Sequence, residues 1–143
     1  MKELSIIIPV YNEDATIGEV LRRVFSVKLD GWKSQVIVVD DGSTDKTREI
    51  LASWQKKATV IFQSINQGKG AAVTEGMKRA IGEVILLQDA DLEYNPADYP
   101  KLLEQFANQR VTVVYGSRFL GPHLSTMYLY ALGNKFVTWV TNV

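Results

Sequence analysis

Residues 4–10 read LSIIIPV, and this stretch decides the fold that the sequence predicts. The stretch is short, apolar and rich in β-branched residues, and it ends close to a proline and Asn12. A continuous apolar run of this length is typical of a strand that is covered on both faces, as the strands of parallel sheets are. The sequence therefore predicts a fully buried strand at 4–10.

Segments of the same kind recur along the chain and alternate with helical patterns. Strands are predicted at 35–39, 58–63, 83–87 and 111–115. Helices are predicted at 14–27, from the turn at 41–45 to about residue 54, at 71–80 and at 96–107. Because helices that join parallel strands cross over with one handedness, the alternation predicts a three-layer α/β/α fold with a mostly parallel central sheet.

The overall composition is that of a folded, neutral protein. Of the 143 residues, 46% are hydrophobic and 22% are charged, which favours a single globular domain over a disordered chain. Sixteen basic residues balance sixteen acidic ones, so we do not expect the basic face that a nucleic-acid-binding protein needs. The sequence has no cysteine, which excludes disulfides and cysteine metal sites and suits the cytosol.

Residues 125–143 differ from the rest of the chain, because aromatic and aliphatic residues recur there between polar ones. This stretch predicts an amphipathic helix, which would pack on another part of the same protein or lie on a membrane surface. The sequence has neither a signal peptide nor an apolar run long enough to span a membrane. Its end resembles a cut through a longer protein, and its lone histidine, His123, is expected to be a loop residue.

Polar residues follow three of the predicted strands at the point where each strand ends. Residues 9–13 (PVYNE) end the first strand, Asp40 and Asp41 end the second, and Asp89 and Asp91 follow the fourth. Ligands of open parallel sheets bind outside the carboxyl ends of the strands. We therefore expect these three groups to lie along one rim of the sheet.

Asp89 and Asp91 are two residues apart, so both side chains can point the same way at the end of a strand. Two carboxylates held together repel each other unless a cation lies between them. Oxygen ligands suit Mg²⁺ or Mn²⁺, whose open positions a diphosphate can fill, and Glu93 could be a third ligand. The alternative is an acidic surface turn. An EF-hand is excluded, because Tyr94 stands where that loop requires glycine.

The acidic and aromatic residues of the first two strand ends have two interpretations each. Asp40 or Asp41 could accept hydrogen bonds from a base or a ribose, or could instead cap the next helix. Tyr11 could pack against a base and Glu13 could bond a ribose, or both could be ordinary residues of the rim.

Residues 66–70 (NQGKG) form a glycine-rich loop ahead of a predicted helix. The loop does not fit the Walker pattern, because Gln63 and Gly70 stand where glycine and Ser/Thr are required. A glycine-rich loop before a helix is still compatible with a nearby anion. Lys69 is therefore either a phosphate contact or a solvated lysine. Arg118 is either a contact to phosphates or to an anionic acceptor, or a member of a surface ion pair.

Five motifs follow one another along nearly the whole chain. They are IIIPVYNE at 6–13, VVDDGSTD at 38–45, NQGKG at 66–70, QDADLEY at 88–94 and YGSRF at 115–119. Together they resemble the family 2 glycosyltransferases, and within that family the branch of dolichyl- and polyprenyl-phosphate hexosyltransferases. Each motif is modest alone, but five in the same order are specific.

The resemblance implies a Rossmann-like GT-A fold and inverting transfer of a hexose from a UDP- or GDP-sugar to a polyprenyl phosphate. It implies that Asp89 and Asp91 are the catalytic residues through a bound Mg²⁺ or Mn²⁺, that Glu93 can assist them and that Arg118 lies near the phosphates. The nucleotide-binding residues it implies are Pro9, Tyr11, Glu13, Asp40, Asp41 and Ala90. The acceptor of this branch is already an anion, so catalysis is expected to depend on positioning and leaving-group stabilisation.

Relatives of this branch continue well beyond the point where this chain ends. We therefore expect residues 1–122 to form the nucleotide-sugar-binding domain and residues 123–143 to begin an acceptor-side segment, at the cytoplasmic face of a membrane. Two alternatives stay open: an enzyme with a soluble sugar or protein acceptor, and a donor-binding fragment without turnover. The apolar face of residues 127–143 could also pair two copies of the chain.

Overall fold

The structure is a computed structural model that describes residues 1–108 and 110–116. Strands and helices alternate along it. The strands are β1 (Lys2–Val10), β2 (Trp32–Asp40), β3 (Thr59–Phe62) and β4 (Val84–Leu87). The helices are α1 (Ile17–Ser26), α2 (Thr47–Ala52), α3 (Lys69–Met77) and α4 (Tyr99–Glu104), and short 3₁₀ turns at Pro96–Asp98 and Gln105–Ala107 flank α4.

The four strands form one sheet in the order β3-β2-β1-β4, and every pair of neighbouring strands is parallel. The strand predicted from residues 4–10 is therefore an inner strand, paired on both edges. Ile7 lies opposite Ile37 of β2 on one side and Leu87 of β4 on the other. The predicted parallel sheet is confirmed, and the carboxyl ends of its strands share one edge.

Helices cover both faces of the sheet, as the alternation predicts. The larger core lies between the sheet and the side chains of α1, α2 and α4. On the opposite face α3 packs Ala72 against Ile7, Ile37 and Val39. Helix α3 comes so close there that a Cβ added to Gly76 would lie 2.5 Å from Ile7 Cγ2. The three-layer α/β/α architecture is thus confirmed.

The predicted fifth strand is wrong. Residues 111–116 have no regular secondary structure, and within the described chain they pair with no strand. The side chains of Val113 and Tyr115 are largely exposed. A run of β-branched residues becomes a strand only when its backbone groups find a neighbouring ladder, and β4 is not paired on that side within residues 1–108 and 110–116.

Two predicted helices also differ from the structure. Helix α1 begins at Ile17, because residues 14–16 form a turn in which the N–H groups of Thr16 and Ile17 both donate to the carbonyl of Glu13. The helix predicted at 96–107 is divided, because Pro100 has no N–H to donate to the carbonyl of Pro96. The N–H of Tyr99 bonds that carbonyl instead, in a 3₁₀ turn.

Several predictions concern residues outside the described part of the chain. They are the contact role of Arg118, the loop position of His123, the helix at 123–143 and the pairing of two copies through 127–143. Among the described residues, no helix is both long enough and apolar enough to cross a membrane.

Candidate active site

A cavity of about 280 Å³ lies at the carboxyl ends of β1, β2 and β4. Its walls come from the end of β1, from the loops that follow β1, β2, β3 and β4, and from α3. Eight residues singled out in the sequence line it, namely Pro9, Tyr11, Glu13, Asp41, Lys69, Asp89, Ala90 and Asp91. The remaining wall residues are Val10, Asn66, Gly68 and Ala72. The predicted convergence of three strand ends on one rim is therefore present in the structure.

Asp40 does not line this cavity, although it is adjacent to Asp41. Its side chain is completely buried, and its Oδ2 lies 2.6 Å from Nε of Arg48. The backbone N–H of Ser43 also donates to Asp40, at 3.3 Å. Arg48 continues the network by donating to the carbonyl of Gln63 and by lying over the ring of Phe62. The contacts of Asp40 thus fix the turn between β2 and α2.

Asp41 holds the glycine-rich loop against the sheet. Its Oδ1 accepts a hydrogen bond from the N–H of Gln67 and its Oδ2 accepts one from the N–H of Gly68, both at 2.8 Å. The residue is only 2% exposed, so these contacts are protected from water. Gly68 has a φ of +91°, which few residues other than glycine adopt. Asp41 therefore sets the position of Lys69, which directly follows Gly68.

The loop after β1 is held by side chains of the turn after β2. Three successive backbone N–H groups of the first loop donate to three side-chain oxygens of the second. The pairs are Asn12 with Ser43 Oγ at 2.9 Å, Glu13 with Thr47 Oγ1 at 2.9 Å, and Asp14 with Asp45 Oδ2 at 3.2 Å. Because every amide between 12 and 14 has such a partner, the cavity residues Tyr11 and Glu13 sit on a fixed backbone.

Gly42 allows the turn after β2 to touch the chain after β3. Its φ is +75°, and a Cβ added there would lie 2.6 Å from both the amide nitrogen of Asn66 and the carbonyl carbon of Ile65. A side chain at this position would force these two loops apart. The contact therefore fixes where the glycine-rich loop begins, and only glycine fits it.

Asp89 and Asp91 follow β4, and a buried pair of residues supports the turn that carries them. Gln88 is 1% exposed and extends the strand by donating its N–H to the carbonyl of Ile7 at 3.0 Å. Its side-chain Nε2 donates to the carbonyl of Asp89 at 2.9 Å. Its Oε1 accepts from the hydroxyl of Tyr99 at 2.6 Å. Burial raises the pKa of Tyr99, so the hydroxyl remains a neutral donor.

Gln88, Tyr99 and Arg48 support the site, but no role was predicted for them from the sequence. A polar residue directly after an apolar strand was the available signal for Gln88, because such a side chain must find partners when it is buried. Tyr99 lies 11 residues further on, and Arg48 lies eight residues after Asp40. Neither spacing predicts a contact without the fold.

The charges of the cavity wall are unequal. Four carboxylates line it, those of Glu13, Asp41, Asp89 and Asp91, and Lys69 is the one cationic side chain among the wall residues of the described chain. Nζ of Lys69 lies 2.5 Å from Oδ1 of Asp89. The cavity is therefore acidic overall, and its single ammonium group is paired with one of the carboxylates.

The carboxylates of Asp89 and Asp91 suit a divalent cation that takes only some of its ligands from the protein. Mg²⁺ and Mn²⁺ are hard ions that are commonly bound by one or two carboxylates, with phosphate and water oxygens as the other ligands. Within residues 1–108 and 110–116, no three His, Cys, Asp or Glu side chains come together as a metal cluster. Glu93 is not part of the cavity wall, and its backbone N–H donates to Oδ1 of Asp91.

The fold and the site together define a class of protein. It is an α/β domain with an acidic ligand cavity at the carboxyl edge of a parallel sheet, where two carboxylates suit a divalent cation. The sequence profile of glycosyl transferase family 2 matches residues 5–132, and the chain belongs to this family. The resemblance drawn from the five motifs is thereby confirmed.

Two curated relatives are named for transfer to a lipid phosphate. The chain is 36% identical over 109 residues to an undecaprenyl-phosphate 4-deoxy-4-formamido-L-arabinose transferase of Pseudomonas aeruginosa. This alignment covers 73% of the chain and 32% of the relative. The chain is also 36% identical over 120 residues to a dolichol-phosphate mannosyltransferase of Pyrococcus furiosus, which covers 82% of this chain and 34% of that protein. The chain thus spans about a third of the length of these relatives.

A solved structure gives the same result for the fold. Glucosyl-3-phosphoglycerate synthase of Mycobacterium tuberculosis, crystallised with Mn²⁺, UDP and glucosyl-3-phosphoglycerate, superposes with a TM-score of 0.62 at 26% sequence identity. The match covers 75% of this chain and 40% of the synthase. The GT-A fold implied by the motifs is therefore confirmed.

Proposed function

We propose that the whole protein transfers a hexose from a UDP- or GDP-sugar to a polyprenyl phosphate, and that this chain holds the donor. One observation carries the proposal. In a chain of family 2, the residues that could hold a nucleoside diphosphate and its metal surround one cavity at the carboxyl edge of the sheet. The family supplies the reaction class, and the cavity supplies the place where a donor fits.

The charge of the cavity supports a donor that enters with a metal ion. A diphosphate is an anion, and a wall of four carboxylates and one ammonium group repels it. A divalent cation reverses this relation, because it binds the carboxylates on one side and the phosphate oxygens on the other. We infer that Asp89 and Asp91 hold Mg²⁺ or Mn²⁺ together with the diphosphate. When bound, the ion supplies Lewis-acid stabilisation of the charge on the departing diphosphate.

The other wall residues have roles that their positions support. Tyr11 is 45% exposed beside Pro9, so its ring is available to pack against a base. The carboxylates of Glu13 and Asp41 can accept hydrogen bonds from ribose or base, since each carboxylate oxygen accepts more than one. Asp40 contributes by holding the turn that carries Asp41. We also propose that Glu93 assists as a metal ligand and that Arg118 contacts the phosphates.

The names of the relatives support the choice of acceptor. One relative is named for undecaprenyl phosphate and the other for dolichol phosphate, and both compounds are polyprenyl phosphates. Such an acceptor is already an anion and can attack the anomeric carbon without a strong base. The chain would then contribute by positioning the donor and excluding water from it, and transfer would invert the anomeric configuration. We place this reaction at the cytoplasmic face of a membrane, with residues beyond 122 on the acceptor side.

A soluble acceptor is the second candidate. The synthase of Mycobacterium tuberculosis, which shares the fold, was crystallised with glucosyl-3-phosphoglycerate, a soluble compound. The donor cavity would serve either acceptor equally well, because both reactions need the same diphosphate to leave. The two candidates therefore differ only in the part of the protein that binds the acceptor.

A transfer assay distinguishes the two candidates. The full-length protein is incubated with Mn²⁺, a panel of UDP- and GDP-hexoses, and either undecaprenyl phosphate in detergent or soluble phosphorylated acceptors. We expect a glycolipid product that requires both the metal and Asp91. Transfer to soluble acceptors alone would favour the second candidate, and no transfer to any acceptor would contradict both.

A further inference from the structure

Lys69 occupies an unusual position in the cavity. It is the first residue of the nine-residue helix α3, and its ammonium group lies 2.5 Å from Oδ1 of Asp89. The N-terminus of a helix carries a partial positive charge, so a lysine there is electrostatically unfavourable by itself. The pairing with Asp89 offsets this cost. The lysine is therefore held at the cavity by the same carboxylate that is proposed to bind the metal.

The carboxylates of Asp41 and Asp91 have backbone donors and that of Glu13 accepts the hydroxyl of Thr16 at 2.6 Å, whereas Asp89 is paired with a charged side chain. Both oxygens of Asp41 accept N–H groups from the glycine-rich loop, and Oδ1 of Asp91 accepts the N–H of Glu93. Within residues 1–108 and 110–116, the donor to the carboxylate of Asp89 is the ammonium group of Lys69. One of the two carboxylate oxygens of Asp89, which a divalent cation could use, is thus paired with a cation of the protein itself.

We propose that Lys69 and the divalent cation compete for Asp89, and that this competition makes metal binding depend on bound nucleotide. The inference rests on the proposed donor site. With no nucleotide present, a metal ion at Asp89 must compete with the ammonium group of Lys69 for the charge of the same carboxylate. When a nucleoside diphosphate is present, its phosphates offer the ammonium group a new partner, and Asp89 is released for the metal. Lys69 is then the residue that couples the two binding events.

The coupling has a quantitative signature because binding free energies around a cycle are linked. Loss of the Lys69–Asp89 pair costs binding energy only when the metal binds to the empty cavity. At saturating nucleotide the pair is already broken, so its removal by mutation leaves the metal affinity unchanged. The Lys69→Met variant should therefore bind free Mn²⁺ more tightly, but should bind Mn²⁺ with the same affinity as the native chain when nucleotide is saturating.

The chain offers a closely matched control. Lys78 directly follows the last residue of the same helix, and its Nζ lies 2.9 Å from Oε2 of Glu75, away from the cavity wall. The two lysine side chains are equally exposed, at 66% for Lys69 and 65% for Lys78. Lys78→Met thus removes the same charge and the same kind of ion pair from the same helix. It should leave Mn²⁺ binding unchanged in both conditions.

The test is a titration of Mn²⁺ in which electron paramagnetic resonance measures the concentration of the free ion. The titration is carried out with no nucleotide and with saturating UDP or GDP. We expect Lys69→Met to raise the affinity for free Mn²⁺ by roughly two- to fivefold, the factor that an exposed ion pair contributes. The dependence of Mn²⁺ affinity on nucleotide should fall by the same factor. The control variant should reproduce the native values.

Three results would overturn the proposal. They are an unchanged affinity for free Mn²⁺ in Lys69→Met, an equal rise with and without nucleotide, or no Mn²⁺ binding by either protein in the absence of nucleotide. An equal rise would mean that Lys69 only repels the ion through its charge. Failure of the donor site is recognised separately, because the native chain would then bind neither UDP nor GDP in the presence of Mn²⁺.

Discussion

Nε of Arg48 lies 2.6 Å from Oδ2 of Asp40, and the side chain of Asp40 is completely buried. This pair separates two adjacent aspartates by function. Asp40 faces the protein and holds the turn after β2, whereas Asp41 lines the cavity and holds the glycine-rich loop. The cavity therefore depends on an ion pair that does not touch it, formed by a buried carboxylate and a partly exposed guanidinium group.

Replacement of Arg48 should destabilise the fold strongly. Arg48→Met leaves the buried carboxylate of Asp40 without its cation, and because the Arg48 side chain is 38% exposed and solvent screens the pair, the cost is about 1–3 kcal/mol. The free energy of unfolding, measured by urea denaturation, tests this value. Arg22→Met is the control, because Arg22 forms an exposed pair with Glu19 that contributes less than about 1 kcal/mol. Equal losses in the two variants would show that the Asp40 pair contributes no more than a surface contact.

Removal of one hydroxyl group should loosen the turn that carries Asp89. Tyr99→Phe leaves Oε1 of the buried Gln88 without its donor, which costs about 1–3 kcal/mol of stability. Because Nε2 of Gln88 holds the carbonyl of Asp89, we also expect weaker binding of UDP or GDP with Mn²⁺. Thermal unfolding and calorimetry measure the two effects. Tyr115→Phe, at an exposed position, should change neither, and a Tyr99→Phe variant that behaves like it would refute the supporting role.

A methyl group at Gly42 should separate the two loops that meet there. Gly42→Ala adds a left-handed strain of about 1–2 kcal/mol and places Cβ against the backbone of Ile65 and Asn66. We expect a lower unfolding temperature and weaker nucleotide binding. Gly70→Ala is the control, since a Cβ there meets no atom within 4 Å. If the two alanine variants prove equally stable, the close approach at Gly42 has no structural consequence.

The hydrogen bonds of Asp45 should make stability fall in acid. Burial raises the pKa of Asp45, but hydrogen bonds from the Thr47 side chain and from the backbone of Thr47 and Asp14 outweigh it. The folded-state pKa therefore lies below the ordinary value of 3.8. A carboxyl group with a depressed pKa stabilises the fold above its unfolded value, and that contribution is lost as the pH falls through the folded value.

Unfolding curves recorded between about pH 2 and pH 6 test this dependence. Asp45→Asn should lower the free energy of unfolding above pH 3.8 by under about 1 kcal/mol, because the carboxylate is partly exposed. It should also flatten the decline of stability below that pH. Asp98→Asn, at an exposed position, should leave the profile unchanged. If Asp45→Asn leaves the native pH profile unaltered, the hydrogen bond of Asp45 to the backbone of Asp14 does not stabilise the contact between the two loops.

The sheet and its rim were predictable because local patterns determine them. Buried parallel strands require continuous apolar runs, and polar residues directly after such runs mark the ligand edge. The segment at 111–115 has the same local pattern but no neighbouring ladder in the described chain, and so the prediction of a strand was wrong there. Pairing is a property of the fold, and a sequence window does not contain it.

The division of roles between neighbouring residues was not predictable either. The sequence left open whether Asp40, Asp41 or both face a ligand, because either side chain could cap the following helix. The structure separates them because β2 continues through Asp40, which lies opposite Val10 on one side and Phe62 on the other. Arg48 then meets Asp40 through the turn of α2, and Tyr99 meets Gln88 across the core. No motif encodes these contacts.

The central claim is that Asp89 and Asp91 bind a nucleoside diphosphate through a divalent cation. Calorimetric titration of UDP and GDP, with and without Mn²⁺, tests it on the native chain, on Asp91→Ala and on the exposed control Asp98→Ala. We predict that Mn²⁺ strengthens nucleotide binding, that Asp91→Ala abolishes this effect of the metal and that Asp98→Ala retains it. Binding that is independent of Mn²⁺ and of Asp91, or no binding of either nucleotide with Mn²⁺ present, would contradict it.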